Sequence, residues 1–240
     1  MSASGADSES ARPNRMLVVV AVEREADAVP AIPETMVVVA GVGRTNAAAA
    51  TTETILRHGP FRGVLSLGIA GALPGSALSI GDAVVASACV YAEEGLAAPG
   101  GFQDMRGLRF PLGDFEGNAV PVSPELLARL SPPFCSAPIA TVATCSGTDA
   151  AADEVARRTG AAAEAMEGAA VVHAARRLGV PGIELRIVSN TTGDRERQQW
   201  DLPLAFAALA EAADRALALL SGWSFEPPAV QPPRGRPAVR

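Results

Sequence analysis

Apolar residues in this chain fall into short continuous runs separated by stretches with helical spacing. Residues 16–22 are an unbroken run of apolar, largely β-branched side chains, the pattern of a strand buried on both faces. Runs at 36–40, 64–72, 83–90, 139–144 and 183–189 predict further strands. Between them lie an alanine-rich helix ending near Arg57, a short helix at 124–130, and a helix that Thr148 can cap and that continues through Arg158. A fourth helix runs through Val171 and Ala175 until Gly179 and Val180-Pro181 stop it. The last, at about 203–221, places Phe206, Leu209, Ala213, Leu217 and Leu220 on one face. Alternating strands and helices predict an α/β fold. Residues 91–118 are acidic, glycine-rich and irregular, as functional loops often are. Residues 1–15 and the Pro/Arg-rich 223–240 read as a disordered lead-in and tail, leaving 16–222 as one domain.

Composition narrows the chemistry. At 240 residues, 48% apolar and 19% charged, the chain can bury a sizeable core. A net charge of −6 argues against nucleic acid or an anionic membrane as partner. All 20 basic residues are arginine, which excludes a Schiff-base lysine and a P-loop lysine. Cys89, Cys135 and Cys145 are too scattered for a disulfide framework or a zinc ribbon. His58 and His173 are the only histidines, so a multi-histidine metal site is excluded. No G-x-S-x-G motif accompanies His173, which reads as a half-buried helix residue rather than a catalyst. No metal and no cofactor is therefore expected. The polar N-terminus and the shortness of 16–22 point to the cytoplasm, with no membrane partner.

Three stretches carry candidate chemistry. Glu23, Arg24 and Glu25 follow the first strand, where α/β proteins place ligands; a surface helix start would explain Glu23 better than Glu25. Gly41-Val42-Gly43 precedes a helix and can offer backbone N–H groups to a ligand oxygen, but Asn46 replaces the third glycine of a dinucleotide fingerprint. That replacement argues against a dinucleotide-dependent oxidoreductase. Gly68 and Gly71 end the third strand and allow a flat group to approach the backbone. In Glu164-Ala165-Met166-Glu167-Gly168, Glu167 either caps the following helix or accepts hydrogen bonds from a ligand's hydroxyls.

In order and spacing these motifs resemble the nucleoside phosphorylase/nucleosidase superfamily over about 16–220. A-V-E-R-E is similar to the A-M-E-E-E opening of its methylthioadenosine/S-adenosylhomocysteine nucleosidases. L-G-I-A-G-A followed by I-G-D-A-V-V is similar to their T-G-S-A-G-G followed by V-G-D-I-V-V, and E-A-M-E-G-A-A-V-V-H to their V-E-M-E-A-T-A-I-A-H. E-A-M-E-G, together with S-N-x-x-G-D-R-x-R-x-x-W at 189–200, further resembles the futalosine hydrolases of the alternative menaquinone pathway. The resemblance implies a single-domain nucleoside phosphorylase-like fold, a central mixed twisted sheet or barrel flanked by helices. It also implies a small-molecule nucleoside substrate, a homo-oligomer, and hydrolysis of an inosine-like nucleoside carrying a C5′ tail to hypoxanthine.

Matched positions then imply roles. Glu25 would activate water, Glu167 would hold the ribose 2′- and 3′-hydroxyls with Met166 beside the sugar, and the backbone at Ala70-Gly71 would face the base. Asn190 stands where the adenine-specific nucleosidases have an aspartate. Its amide can donate to a 6-oxo oxygen and accept from a protonated N7, although an ordinary asparagine turn after a strand is the plainer account. Arg195 or Arg197 would meet a carboxylate on the tail, or face solvent. The superfamily's phosphorylases carry a phosphate-binding arginine just before the third-strand glycines, where this chain has Ser66 and Leu67; Arg44 is the candidate left. One arginine is a poor trap for a dianion, which favours water over phosphate as nucleophile. A non-catalytic nucleoside-binding domain would not need Glu25, and a broader purine nucleosidase stays the alternative activity.

Overall fold

The apolar runs become strands, with boundaries set by side chains that capture backbone groups. The computed structural model describes residues 15–224. β1 (Arg15–Val20) runs parallel to β2 (Thr35–Val39) on one side and to β3 (Phe61–Ala72) on the other. The expected strand at 16–22 stops at Val20 because the N–H groups of Ala21 and Val22 turn to the Glu25 carboxylate. β4 (Ala83–Tyr91) is followed by a hairpin of β5 (Gly95–Ala98) and β6 (Gly101–Asp104), then β7 (Ala119–Pro121), β8 (Cys135–Thr141), β9 (Ala163–Ala165) and β10 (Gly182–Thr191). The strand expected at 139–144 begins earlier and ends at Thr141, and beyond it the Ala143 N–H is taken by the Glu93 carboxylate.

Five strands close on themselves. β3 pairs with β10, β10 with β4, β4 with β8, β8 with β9, and β9 returns to β3. The ring mixes parallel and antiparallel pairs, and β1 and β2 extend it outward from β3. Strand twist makes such closure possible, and closure leaves no unpaired edge in the ring. The expected mixed barrel flanked by helices is what forms. β10 carries a bulge against β3: Val188 pairs with Ala70 but Asn190 with Gly71, leaving Ser189 as the extra residue.

The helices are α1 (Glu23–Ala26), α2 (Arg44–His58), α3 (Met105–Leu108), α4 (Pro124–Leu130), α5 (Asp149–Thr159), α6 (Gly168–Arg177) and α7 (Leu202–Leu220). Thr148 caps α5 by accepting from Ala151 N at 3.1 Å. Leu209, Ala213, Leu217 and Leu220 of α7 are buried in the core with Met16, Leu65 and Ile187. The 91–118 segment is more regular than its composition suggests, since it holds β5, β6 and α3. The fold also reaches one residue past each expected boundary: Arg15 opens β1, and Trp223 is buried against the core. The expected disordered ends otherwise lie outside the described residues.

Candidate active site

Glu25 sits at the end of the short α1 and is buried, whereas Glu23 is exposed. Its Oε2 accepts from Ala21 N at 2.8 Å and Val22 N at 3.3 Å, and its Oε1 accepts from Ile69 N of β3 at 3.0 Å. The local bonds cap α1, and the Ile69 bond ties the carboxylate to the third-strand glycines. A carboxylate has about four acceptor positions, so about one is left for a water or a substrate hydroxyl.

Glu167 stands at the N-cap position of α6, but its side chain makes no capping bond. It reaches outward instead: Oε1 accepts from Gly43 N, at the start of α2, at 3.0 Å, and Oε2 lies 3.4 Å from Nη2 of Arg186. The side chain is thus not engaged in a capping hydrogen bond. Arg186, wholly buried in β10, donates through Nε to Glu184 at 2.8 Å and through Nη2 to Ser66 at 3.2 Å. Burial alone would lower its pKa, but the charges of Glu184, Glu167 and Glu25 raise it above the ordinary value, so the guanidinium stays charged. A β-carbon at Gly68 would overlap both Nη1 of Arg186 and Oε1 of Glu25. The glycine is what allows the two charged groups to converge on one point of β3.

Further along β3 and β10 is a cavity of about 340 Å³ lined by Gly71, Cys145, Ser146, Glu164, Asn190, Arg195 and Trp200, among others. Asn190 is placed there by the β10 bulge. Ser189 Oγ donates to its Oδ1 at 2.8 Å and its Nδ2 donates to Thr191 O at 2.8 Å, leaving one N–H and one lone pair. Thr192 Cγ2 and Asn190 Nδ2 would lie 2.7 and 3.1 Å from a β-carbon on Gly71, so only glycine fits. A larger cavity, about 470 Å³, opens between Phe102, Arg106, Asn118 and Arg158 and holds none of these residues.

A family model described as the phosphorylase superfamily matches residues 33–222. The chain belongs to this superfamily. It is 38% identical over 184 residues to the futalosine hydrolase of Acidothermus cellulolyticus, a match covering 73% of this chain and 72% of that one. It is 38% identical over 195 residues to the futalosine hydrolase of Thermus thermophilus, covering 78% and 83%. These relatives place it in the futalosine hydrolase family. Among solved structures, the 5′-methylthioadenosine/S-adenosylhomocysteine nucleosidase of Colwellia psychrerythraea 34H, in complex with adenine, shares the fold with a TM-score of 0.72 at 20% identity, over 90% of this chain and 99% of that one.

Within this superfamily fold, the sequence-derived candidates separate into two groups. Glu25 and Glu167 converge on Arg186, while Gly71 and Asn190 line the cavity; Ala70, next to Gly71 in β3, is buried and its carbonyl accepts from Ser189 Oγ at 3.2 Å. Met166 is half-buried and packs against a small core cluster that includes Val142 and Ala152. Arg195 lines the same cavity, where its guanidinium donates to Gln198 Oε1 at 2.9 Å and lies over Trp200. It stands with Asn190 at this cavity, apart from the Glu25–Glu167–Arg186 cluster. Arg197 is exposed and ion-paired with Asp149 and Asp194. His173 packs edge-on to Tyr91 and Phe115, as a half-buried helix residue.

Sequence reasoning missed Arg186, Glu184 and Glu164. A usable signal was present, since Glu184 and Arg186 are charges two apart in the otherwise apolar stretch 183–188 of β10. Gly168 exists because of them: a β-carbon there would overlap the Glu184 carboxyl. Gly168→Ala is therefore expected to destabilise the protein by about 1–3 kcal/mol through overpacking. Thermal unfolding would read this as about 2–4 °C in Tm for each kcal/mol. An unchanged Tm would mean that Glu184 can withdraw without cost.

Proposed function

We propose that this chain hydrolyses the N-glycosidic bond of futalosine, releasing hypoxanthine. The observation that carries the reading is the convergence of Glu25 and Arg186 on Gly68 of β3, with Glu167 against the same guanidinium, and, further along β3, a cavity edged by Asn190. The named relatives support the choice of substrate.

Cleavage of a purine nucleoside passes through an oxocarbenium-like sugar while negative charge gathers on the base. Glu25, held by three backbone N–H groups, positions a water and takes its proton. Glu167 accepts from the ribose 2′- and 3′-hydroxyls and places its negative charge near the cationic sugar. Arg186 balances the carboxylates so that they can stand close together. Asn190 donates to the 6-oxo oxygen and accepts from N7–H. An amide is no general acid, so departure of the base rests on hydrogen bonding.

The charge pattern favours water over phosphate. Arg44, the arginine left for phosphate, is ion-paired with Glu93 at 3.2 Å and Glu94 at 2.8 Å. At the reaction site Glu25, Glu167 and Glu184 surround the single guanidinium of Arg186, and a phosphate dianion would meet their repulsion. Purified protein should release hypoxanthine from futalosine at the same rate with and without phosphate, and methylthioadenosine should be a poor substrate. A rate that requires phosphate would assign a phosphorylase instead; adenine release from methylthioadenosine at a comparable rate would assign a broader nucleosidase.

The finer setting belongs to the same proposal. The enzyme works as a homo-oligomer, a reading supported by Leu96 at 48% and Phe110 at 66% exposure in the 91–118 segment. It works in the cytoplasm, a reading supported by the exposed free thiols of Cys135 and Cys145. Among the described residues no helix is long and apolar enough to cross a membrane.

A further inference from the structure

Glu164 is a buried acid for which the proposed reaction has no task. It is 4% exposed and lies in β9, paired with Gly71 of β3, while Asn190 of β10 pairs with Gly71 from the other side. Residues paired across neighbouring strands share a face of the sheet. The carboxyl of Glu164 and the amide of Asn190 therefore flank one glycine, with two strand spacings of about 4.8 Å between their backbones. Both line the same 340 Å³ cavity.

Ser146 holds this carboxyl in place, donating from N to Oε1 at 2.7 Å and from Oγ to Oε2 at 2.6 Å. About two acceptor positions stay open. Among the described residues no arginine is ion-paired with Glu164, and Arg195 in the same cavity is turned to Gln198 and Trp200. Burial, with a smaller push from the Glu93 charge, holds its pKa above the ordinary carboxylate value, and the two Ser146 bonds offset part of that rise in favour of the ionised form. A buried, oriented acceptor without a cation is suited to an N–H donor on a ligand.

We propose that Glu164 reads the base, its carboxylate accepting the N1–H of a 6-oxopurine while Asn190 serves O6 and N7. This assignment rests on the nucleoside hydrolase reading and sharpens it. A 6-oxopurine carries a hydrogen on N1; a 6-aminopurine carries a lone pair there. The amide at 190, fixed by Ser189 Oγ and Thr191 O, serves only O6 and N7 and leaves the N1 position unread. An ionised carboxylate offers acceptors only, so it rejects the 6-aminopurine edge however it turns.

The competing account is that Glu164 does no more than hold the loop at Ser146. The two accounts differ in the ratio of kcat/KM for futalosine and its 6-amino counterpart. Wild type should prefer the 6-oxo nucleoside by about ten- to hundredfold. Glu164→Gln can donate to N1 of the 6-amino base and should reduce that ratio at least about tenfold. Equal losses on both substrates, with the ratio kept, would overturn the assignment and leave hydrolysis standing. If wild type leaves futalosine uncut, calorimetry with free bases decides: hypoxanthine binding that weakens in Glu164→Gln while adenine binding tightens supports the assignment without the hydrolase reading. If Glu164→Gln does not fold, wild type alone serves. Hypoxanthine should then bind at least about tenfold more tightly than adenine and 1-methylhypoxanthine, and equal affinities would overturn the proposal.

Discussion

Glu25→Gln is expected to lower kcat for nucleoside cleavage by about 10²–10⁴-fold, the usual contribution of a positioned general base, with KM little changed. The carboxylate is already ordered by Ala21 N, Val22 N and Ile69 N, so its replacement alters the proton acceptor more than the shape of the site. The amide must place its NH₂ against at least one of these N–H groups. Stability should therefore fall as well, by about 1–3 kcal/mol for an unpaired buried donor. Thermal unfolding separates this loss from the catalytic one, and the kinetics are read below the variant's Tm. Retained kcat with a raised KM would assign Glu25 to binding instead.

Glu167→Ala is expected to cost about 3–6 kcal/mol at the transition state, the scale of two hydrogen bonds to a charged group, or roughly 10²–10⁴-fold in kcat/KM. The loss should shrink on the 2′-deoxynucleoside, which already lacks one of the two hydroxyls. Equal losses on both substrates would reduce Glu167 to a partner of Gly43 N and Arg186, the contacts it makes in the absence of a nucleoside. Arg186 would not be left unpaired in this variant, because Glu184 holds its Nε at 2.8 Å. The effect therefore reads the ribose contact rather than collapse of the charged cluster.

Much of this site was legible one residue at a time. Glu25 was marked by a charge at the end of a buried strand, Glu167 by a carboxylate amid small residues, and Asn190 by its departure from the aspartate of similar nucleosidases. Arg195 has no address in the sequence, because a loop arginine near a ligand motif acquires one only when the loop is folded. Glu184 and Arg186 were passed over inside an apolar run: their mutual compensation needs Ser66, Glu167 and the missing side chain of Gly168, all distant in the chain.

What the sequence by itself determined is the set of elements and the inventory of chemistry. Runs of apolar residues specify strands and helical spacing specifies helices, since both follow from local periodicity. The absence of lysine and the scarcity of histidine exclude whole classes of mechanism from composition alone. Only the tertiary structure decided where that chemistry meets. Closure of β9 onto β3 sets Glu164 beside Gly71, and the bulge at Ser189 sets Asn190 on its other side. Packing of α2 beside α6 brings Gly43 N to Glu167, 124 residues away. Strand pairing and helix packing depend on partners far along the chain, and a one-residue bulge re-aims every side chain beyond it, so no local pattern encodes them.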